Sequence, residues 1–216
     1  MTPPPLTAAV GPLLEVLDFS GIAVFALSGA LVAASKRQTL VTFIFFAVVT
    51  GVGGGTVRDL LIGAPVFWIE ENAILLICCA AASIVWLLPE RIWRGSALLW
   101  LDSAGLAAYA TFGAAKGLAY GVAPLPAVGM GVLTACLGGI IRDLLAGEPS
   151  ILMRPELYVT AAALSSALMV LLLFFGCPGP IAGAMAALAG FLLRAGAIRR
   201  GWSLPGYSKS SEAPPV

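Results

Sequence analysis

Apolar residues run through this chain in blocks of about membrane length, and the polar residues between them fall in short clusters. Arg37 and Arg58 bracket 20 uncharged residues, Glu71 and Glu90 bracket 18, and Glu156 and Arg194 bracket 37. A helix that crosses the hydrocarbon core of a bilayer needs about 20 predominantly apolar residues. The longest run contains Gly176-Cys177-Pro178-Gly179-Pro180, a cluster that no helix crosses comfortably, so it divides into two. The pattern predicts helices over 13–34, 40–62, 71–89, 97–117, 122–146, 155–175 and 180–200. The expected fold is an all-α integral membrane protein with seven transmembrane helices.

The pattern also repeats. Gly54-Gly55-Thr56-Val57-Arg58-Asp59-Leu60-Leu61-Ile62-Gly63-Ala64-Pro65 returns as Gly138-Gly139-Ile140-Ile141-Arg142-Asp143-Leu144-Leu145-Ala146-Gly147-Glu148-Pro149, an offset of 142 − 58 = 84. The same offset pairs Asp18 with Asp102, Gly21 with Gly105, Ala23 with Ala107, Gly29 with Gly113 and Ala30 with Ala114. This organises the chain as repeat 1 (13–89), repeat 2 (97–175), a seventh helix (180–200) and a tail (201–216) expected to be mobile. Only Pro89 to Ser96 joins the repeats, and eight residues do not cross a bilayer as a helix. With three helices per repeat, the second copy enters from the opposite face, so the repeats are expected to be inverted.

Composition agrees with a lipid environment: 60% of residues are hydrophobic, 11% are charged and the mean hydropathy is +1.00. Asp18 interrupts the first apolar stretch and no basic region precedes it, so this stretch is expected to remain as a helix rather than be cleaved as a signal peptide. Lys36, Arg37, Arg91, Arg94, Arg154, Arg199, Arg200 and Lys209 fall at one set of helix ends. By the positive-inside rule the N-terminus is expected outside and the C-terminus in the cytoplasm of a bacterial inner membrane. Lys116 is the exception, at an outer helix end.

Charge inside a span carries the chemistry. It costs about 2.5–3.5 kcal/mol per residue on the insertion scale, so it faces a partner or a wet cavity. Arg58, Asp59, Arg142 and Asp143 are therefore candidate pore or gating residues. Sequence neighbours do not face each other on a helix. The expected pairing is therefore an exchange between repeats, Arg58 with Asp143 and Arg142 with Asp59. Gly53, Gly54 and Gly55, with Gly138 and Gly139, are expected to loosen or kink the helices that carry these charges; close helix packing is the competing reading. Asp18 and Asp102 are candidates for cation entrances, with helix-end charge complementation equally open.

Catalysis finds no support. The chain has no His, and Cys78, Cys79, Cys136 and Cys177 lack metal-ligand spacing, so they read as small apolar residues. The glycine run at 53–55 is not followed by the Lys-Ser/Thr of a phosphate loop. No cofactor, metal or nucleic-acid partner is expected. Arg194, Arg199 and Arg200 are expected to anchor the last helix at the membrane interface.

Two three-helix units with Gly-Gly-Gly-Thr-Val-Arg-Asp at 53–59 and Gly-Gly-Ile-Ile-Arg-Asp at 138–143, plus a seventh helix, resemble the prokaryotic branch of the trimeric intracellular cation (TRIC) channel family. The resemblance covers about residues 13–200. It implies a homotrimer whose protomers each hold an hourglass pore around the glycine-kinked second and fifth helices, conducting potassium and sodium. Animal members carry Lys-Glu-Val where this chain has Arg58-Asp59-Leu60. Membrane lipids and monovalent cations are the implied partners. The alternative is a small-solute secondary transporter, for instance of glycine, since inverted repeats serve both.

Overall fold

Residues 6–93, 96–153 and 156–205 are described in the computed structural model of the chain. Eight helices account for most of them: α1 (Leu6–Ser35), α2 (Leu40–Leu61), α3 (Phe67–Glu70), α4 (Asn72–Leu87), α5 (Ala97–Ala119), α6 (Pro124–Leu145), α7 (Val159–Phe174) and α8 (Gly179–Arg200). Single 3-10 turns occupy Glu90–Ile92 and Ile151–Met153. Seven of the helices follow the seven predicted segments; α3 adds a single turn ahead of α4. By length and composition four spans are apolar enough to cross a membrane: Val16–Ser35, Leu40–Leu61, Pro124–Leu145 and Gly179–Arg200. Helices α4 and α7 are equally apolar but have 16 residues each, about 24 Å at 1.5 Å per residue.

The physical reason for the shorter helices is punctuation. Glu71 is extended at the start of α4, and Pro89 follows its last turn. Helices α2 and α6 end alike. Gly63 and Gly147 both adopt left-handed backbone at φ 67°, letting Ala64 N–H donate to the Asp59 carbonyl and Glu148 N–H to that of Asp143, each at 2.9 Å. Pro65 and Pro149 then prevent any continuation. The Arg-Asp pairs are thereby fixed in the last turns of their helices.

Helix α5 carries Asp102 and Lys116, and it is the innermost helix. From Asp102 to Gly117 every residue except Ala104 is buried. It packs against α1, α6, α7 and α8, while α1 also meets α2 and α4. The main core joins Ile22, Phe25 and Ala26 of α1 with Phe43 and Ala47 of α2, Cys78 and Ala82 of α4, and Leu106, Tyr109 and Ala110 of α5. Cys78 and Cys136 are buried and all four cysteines are free, in line with their reading as small apolar side chains.

Contacts between equivalent helices are reciprocal. A methyl group added at Gly54 would run into the carbonyl oxygen of Thr134, and one at Gly138 into that of Thr50. Gly21 faces the ring of Tyr109 and Gly105 the ring of Phe25, and those two rings lie 5.2 Å apart. Rising numbers on α2 meet falling numbers on α6, so the two helices cross antiparallel; α1 and α5 do the same. Both α2 and α6 run unbroken through their glycines. These glycines act at the crossing as spacers that let backbones touch, the packing role small residues have between membrane helices.

Arg94, Arg154, Lys209 and residues 206–216 lie outside the described residues. Residues 201–205, the start of the tail, make contacts with the helical body. Gly201 caps α8 in left-handed conformation, Trp202 packs on Gly196 under Arg200, and Ser203 forms an isolated bridge with Glu156.

The backbone contact at the crossing yields a direct test. Gly54→Ala or Gly138→Ala is expected to lower stability by about 1–3 kcal/mol, the usual cost of overpacking. Gly129→Ala on the same helix α6, where an added methyl meets nothing within 4 Å, is expected to be neutral or stabilising. Thermal unfolding in detergent checks the contrast, and equal midpoints for the Gly54 and Gly129 variants would contradict it.

Candidate functional site

Two buried charge clusters flank the α2–α6 crossing. Arg58 lies six residues beyond its centre on α2 and Arg142 six beyond it on α6; because the helices are antiparallel, the arginines stand at opposite ends, roughly 18 Å apart along the axis.

In the first cluster Arg58 and Asp59 are 1% and 0% exposed. Arg58 Nε donates to Asp59 Oδ1 at 2.8 Å, and Lys116 Nζ approaches the same oxygen at 2.8 Å. Asp59 Oδ2 accepts the backbone N–H of Phe67 at 3.1 Å, tying the end of α2 to the start of α3. The guanidinium lies 5.1 Å from the ring centre of Phe112 and 5.7 Å from that of Phe67. Its Nη1 and Nη2 have no hydrogen-bond partner, and neither does buried Asp18 Oδ1, although Asp18 sits within electrostatic reach of Arg58 and Lys116.

The second cluster repeats the frame with different partners. Arg142 Nε donates to Asp143 Oδ1 at 2.9 Å, and Nη2 lies 2.8 Å from the same oxygen. Asp143 Oδ2 accepts the backbone N–H of Ile151 at 3.0 Å, the same eight-residue reach as from Asp59 to Phe67. Here the outer guanidinium nitrogen is satisfied: Nη1 donates to Asp102 Oδ1 at 2.7 Å and to Ser28 Oγ at 3.0 Å. Gly139 makes room, since a methyl there would lie 3.0 Å from Tyr158 Oη and 3.5 Å from Asp102 Oδ1. Gly55 does the same beneath the Phe67 ring, and Gly53 faces Ile141.

The expected exchange between repeats is not made. Each arginine binds the aspartate that follows it in sequence, because a long guanidinium stem at a helix end folds back to the neighbour whose second oxygen is held by the next loop. Asp102 meets Arg142, whereas the equivalent Asp18 has no ion pair among the described residues. Lys116, read in sequence only as an exception to the charge rule, is a buried member of the first cluster. A lone Lys inside an apolar run was the available signal. For Ser28, Phe112 and Phe67 no local signal exists.

Arg194, expected at the membrane interface, is itself 1% exposed; it pairs with Glu156, whose side chain is 32% exposed, and lies 5.5 Å from the centre of the Tyr158 ring, so its guanidinium is buried against the helices rather than extended to the surface. Arg199 and Arg200, on the rings of Trp100 and Trp202, keep the interfacial pattern. A cavity of about 560 Å³ opens between Leu31, Phe43, Val85, Trp86 and Trp93, with Arg37, Gln38 and Leu98 among its lining.

Comparison with known proteins agrees with this geometry. The sequence model of a family described as Glycine transporter matches twice, over residues 15–90 and 99–173, with starts 99 − 15 = 84 residues apart. The UPF0126 membrane protein of Vibrio cholerae is 37% identical over 94% of this chain and 86% of its own length. The UPF0126 inner membrane protein YadS of Escherichia coli K12 is 36% identical over 91% and 97%. Among solved structures, the TRIC trimeric intracellular cation channel orthologue from Rhodobacter sphaeroides superposes with a TM-score of 0.83 at 43% identity, covering 88% of this chain and 98% of that one. A prokaryotic TRIC channel solved in 0.5 M KCl superposes with a TM-score of 0.80 at 29% identity, covering 88% and 98%. The chain belongs to the family these matches define, the prokaryotic trimeric intracellular cation (TRIC) channel family, and is an all-helical, multi-pass membrane protein.

The pairing pattern predicts where energetic coupling resides. Asp59→Asn leaves two buried cations without their shared carboxylate and is expected to cost about 3–5 kcal/mol. A double-mutant cycle for Lys116 with Asp59 is expected to show strong coupling, and one for Arg58 with Asp143 near additivity. Unfolding midpoints of the single and double variants decide; strong Arg58–Asp143 coupling would restore the exchange between repeats.

Proposed function

We propose that this TRIC family member is a monovalent cation channel whose path follows α2 and α6, with α1 and α5 completing the wall. The observation that carries the reading is the likeness to the Rhodobacter sphaeroides TRIC orthologue, at 43% identity over 88% of the chain. The charge clusters support it physically: Asp59 and Asp143 hold the field of Arg58 and Arg142, and Asp18 and Asp102 stand beside them at opposite ends of one helix pair. Gly53, Gly54 and Gly55, with Gly138 and Gly139, line the narrow level between the clusters. At that level the helices touch, so conduction requires α2 and α6 to part there, and glycines with no side chain to repack make that motion cheap.

The repeats 13–89 and 97–175 are read as inverted copies about an axis through the α2–α6 and α1–α5 crossings. Reciprocal glycine contacts and the twice-matching family model support this. Seven spans, with α3 as an outer loop turn, make an odd number of crossings and so put the termini on opposite sides, and the Lys and Arg asymmetry puts the N-terminus outside and the C-terminus inside. The assembly is read as a homotrimer with one path per protomer, in keeping with the solved channels described as trimeric. Exposed apolar side chains such as Leu60, Leu76, Leu87 and Leu125 then face lipid or a neighbouring protomer.

One observation favours a second reading, a small-solute carrier: the family model is described as Glycine transporter. Purified protein in planar bilayers separates the two. Unitary currents are expected, with a reversal potential in a KCl gradient that shifts toward the potassium equilibrium potential and weak preference between potassium and sodium, because the sequence carries no potassium-channel filter signature. Anion selectivity, or saturable glycine uptake without unitary steps, would sink the channel reading. Reporters fused at the C-terminus and ahead of α1 are expected to lie on the inner and outer sides; finding both on one side would refute the odd number of crossings.

A further inference from the structure

One turn is built twice and filled differently. After α1 the N–H groups of Lys36, Arg37 and Gln38 donate to the carbonyls of Val32, Ala34 and Ala33; after α5 those of Tyr120, Gly121 and Val122 donate to the carbonyls of Lys116, Leu118 and Gly117. Each residue of the second set lies 84 positions beyond its counterpart (121 − 37 = 84), so the same three bonds recur at the repeat offset. Both turns close on a left-handed residue, Gly121 at φ 80° and Arg37 at φ 52°. Glycine is the residue such a helix end favours, because a Cβ is disfavoured at positive φ. Arg37 is the one non-glycine residue with positive φ among the described residues. The backbone gains nothing from an arginine there, so its use lies in the side chain.

That side chain borders the cavity of about 560 Å³, a volume inside the range of about 300–1,000 Å³ usual for small-ligand sites. The lining is divided. Leu31, Phe43, Val85 and Leu98 make an apolar interior, with the Phe43 and Trp86 rings edge to face at 5.0 Å between centres. Trp86 and Leu88, at the end of α4, form an exposed apolar rim, and Ser35, Arg37 and Gln38, at the end of α1, an exposed polar one. Gln38 Nε2 donates to the Lys36 carbonyl at 2.9 Å and braces the turn. Among the described residues lining the cavity there is no carboxylate, and Arg37 has no ion pair, whereas its neighbour Lys36 is taken by Glu148. An apolar interior thus meets a single unpaired positive charge at the ends of membrane helices.

We propose that this cavity holds one acyl chain of an anionic phospholipid, with the lipid phosphate on the Arg37 guanidinium. A guanidinium offers a phosphate two parallel N–H donors, and basic residues at the ends of membrane helices attract anionic lipids. Tryptophan belongs at the level where headgroups give way to acyl chains, which is where Trp86 places the rim. A water-soluble phosphate compound would leave the apolar interior and the exposed Trp86 and Leu88 unused. The site goes beyond the channel reading and does not depend on it, since it needs only a membrane around the helices. Leu98, part of its inner wall, also borders the second charge cluster beside Asp102 and Arg142.

The test is thermal unfolding of the full-length protein in detergent, titrated with phosphatidylglycerol, phosphatidylcholine or soluble glycerol 3-phosphate. Phosphatidylglycerol is expected to raise the midpoint saturably by several degrees, phosphatidylcholine by less than about half as much, and glycerol 3-phosphate not at all. Arg37→Gly restores the residue the turn favours. Its midpoint in detergent alone is therefore expected to equal or exceed that of the wild type, while its phosphatidylglycerol shift falls to the phosphatidylcholine level. A lower midpoint or loss of folding in Arg37→Gly would assign the arginine to the fold and overturn the argument, as would an undiminished phosphatidylglycerol shift. Ser35→Trp, at an exposed rim position, keeps the charge but fills the mouth of the cavity and is expected to weaken both lipid shifts; an unaltered response would overturn the cavity as the site. Equal shifts from the two lipids remove the phosphate contact. A shift with glycerol 3-phosphate alone would make the ligand a free phosphate, and no shift with any of the three would mean that another surface, such as a second copy of this chain, covers the cavity; either result overturns the lipid site. Unitary currents in bilayers bear on the channel reading alone.

Discussion

A carboxylate that answers two demands at once organises this molecule. Asp59 and Asp143 each neutralise the preceding arginine with one oxygen and hold the backbone eight residues on with the other. Remove that arrangement and the left-handed turns at Gly63 and Gly147 have nothing to dock against, the chain after each helix loses its anchor, and a guanidinium is stranded in an apolar interior. A buried ion pair is weak evidence for stability, since desolvation offsets most of the Coulomb gain. Its value here is geometric: it fixes where two helices end and where the following segments begin.

The glycine crossing supplies the complementary constraint. Two helices that each present backbone to backbone, Gly54 on Thr134 and Gly138 on Thr50, come closer than side chains would allow, and that closeness sets both clusters at matching distances from the centre. Tyr109 adds a polar link between layers by donating its hydroxyl proton to the Gly51 carbonyl at 2.8 Å. Contacts of this kind hold well yet have no interlocking side chains to unpack, which suits the parting of α2 and α6 that the proposed channel requires.

Duplication preserved this frame and changed what fills it. The Arg-Asp pair, its backbone reach, the terminal glycine and the proline are the same in both halves. The differences fall on the residues that cover the guanidinium: Ser28 against Phe112, and Val32 against Lys116. A hydroxyl and a second carboxylate satisfy Arg142, while aromatic faces and a competing ammonium surround Arg58. Two copies of one scaffold thus carry unlike electrostatics at the two ends of a single helix pair.

Much of this was legible in the chain. Apolar run length and the prolines and glycines between runs report on local helix formation and on the solvent, so seven of the eight helices and the 84-residue duplication were readable directly. The Arg-Asp pairs stood out because charge inside an apolar run has to be explained. Partner choice was not readable. The antiparallel crossing places Arg142 near Ser28, 114 residues away, and Asp102, 40 residues away, and the packing of α5 beside the end of α2 carries Lys116 to Asp59. Periodicity cannot encode such distances, because it describes one helix at a time. Nor could it tell a glycine that bends a helix from one that lets two helices touch, or an arginine at the membrane surface from Arg194 inside the core. Those outcomes depend on which face of a helix meets its neighbour, and only the packed tertiary structure decides that.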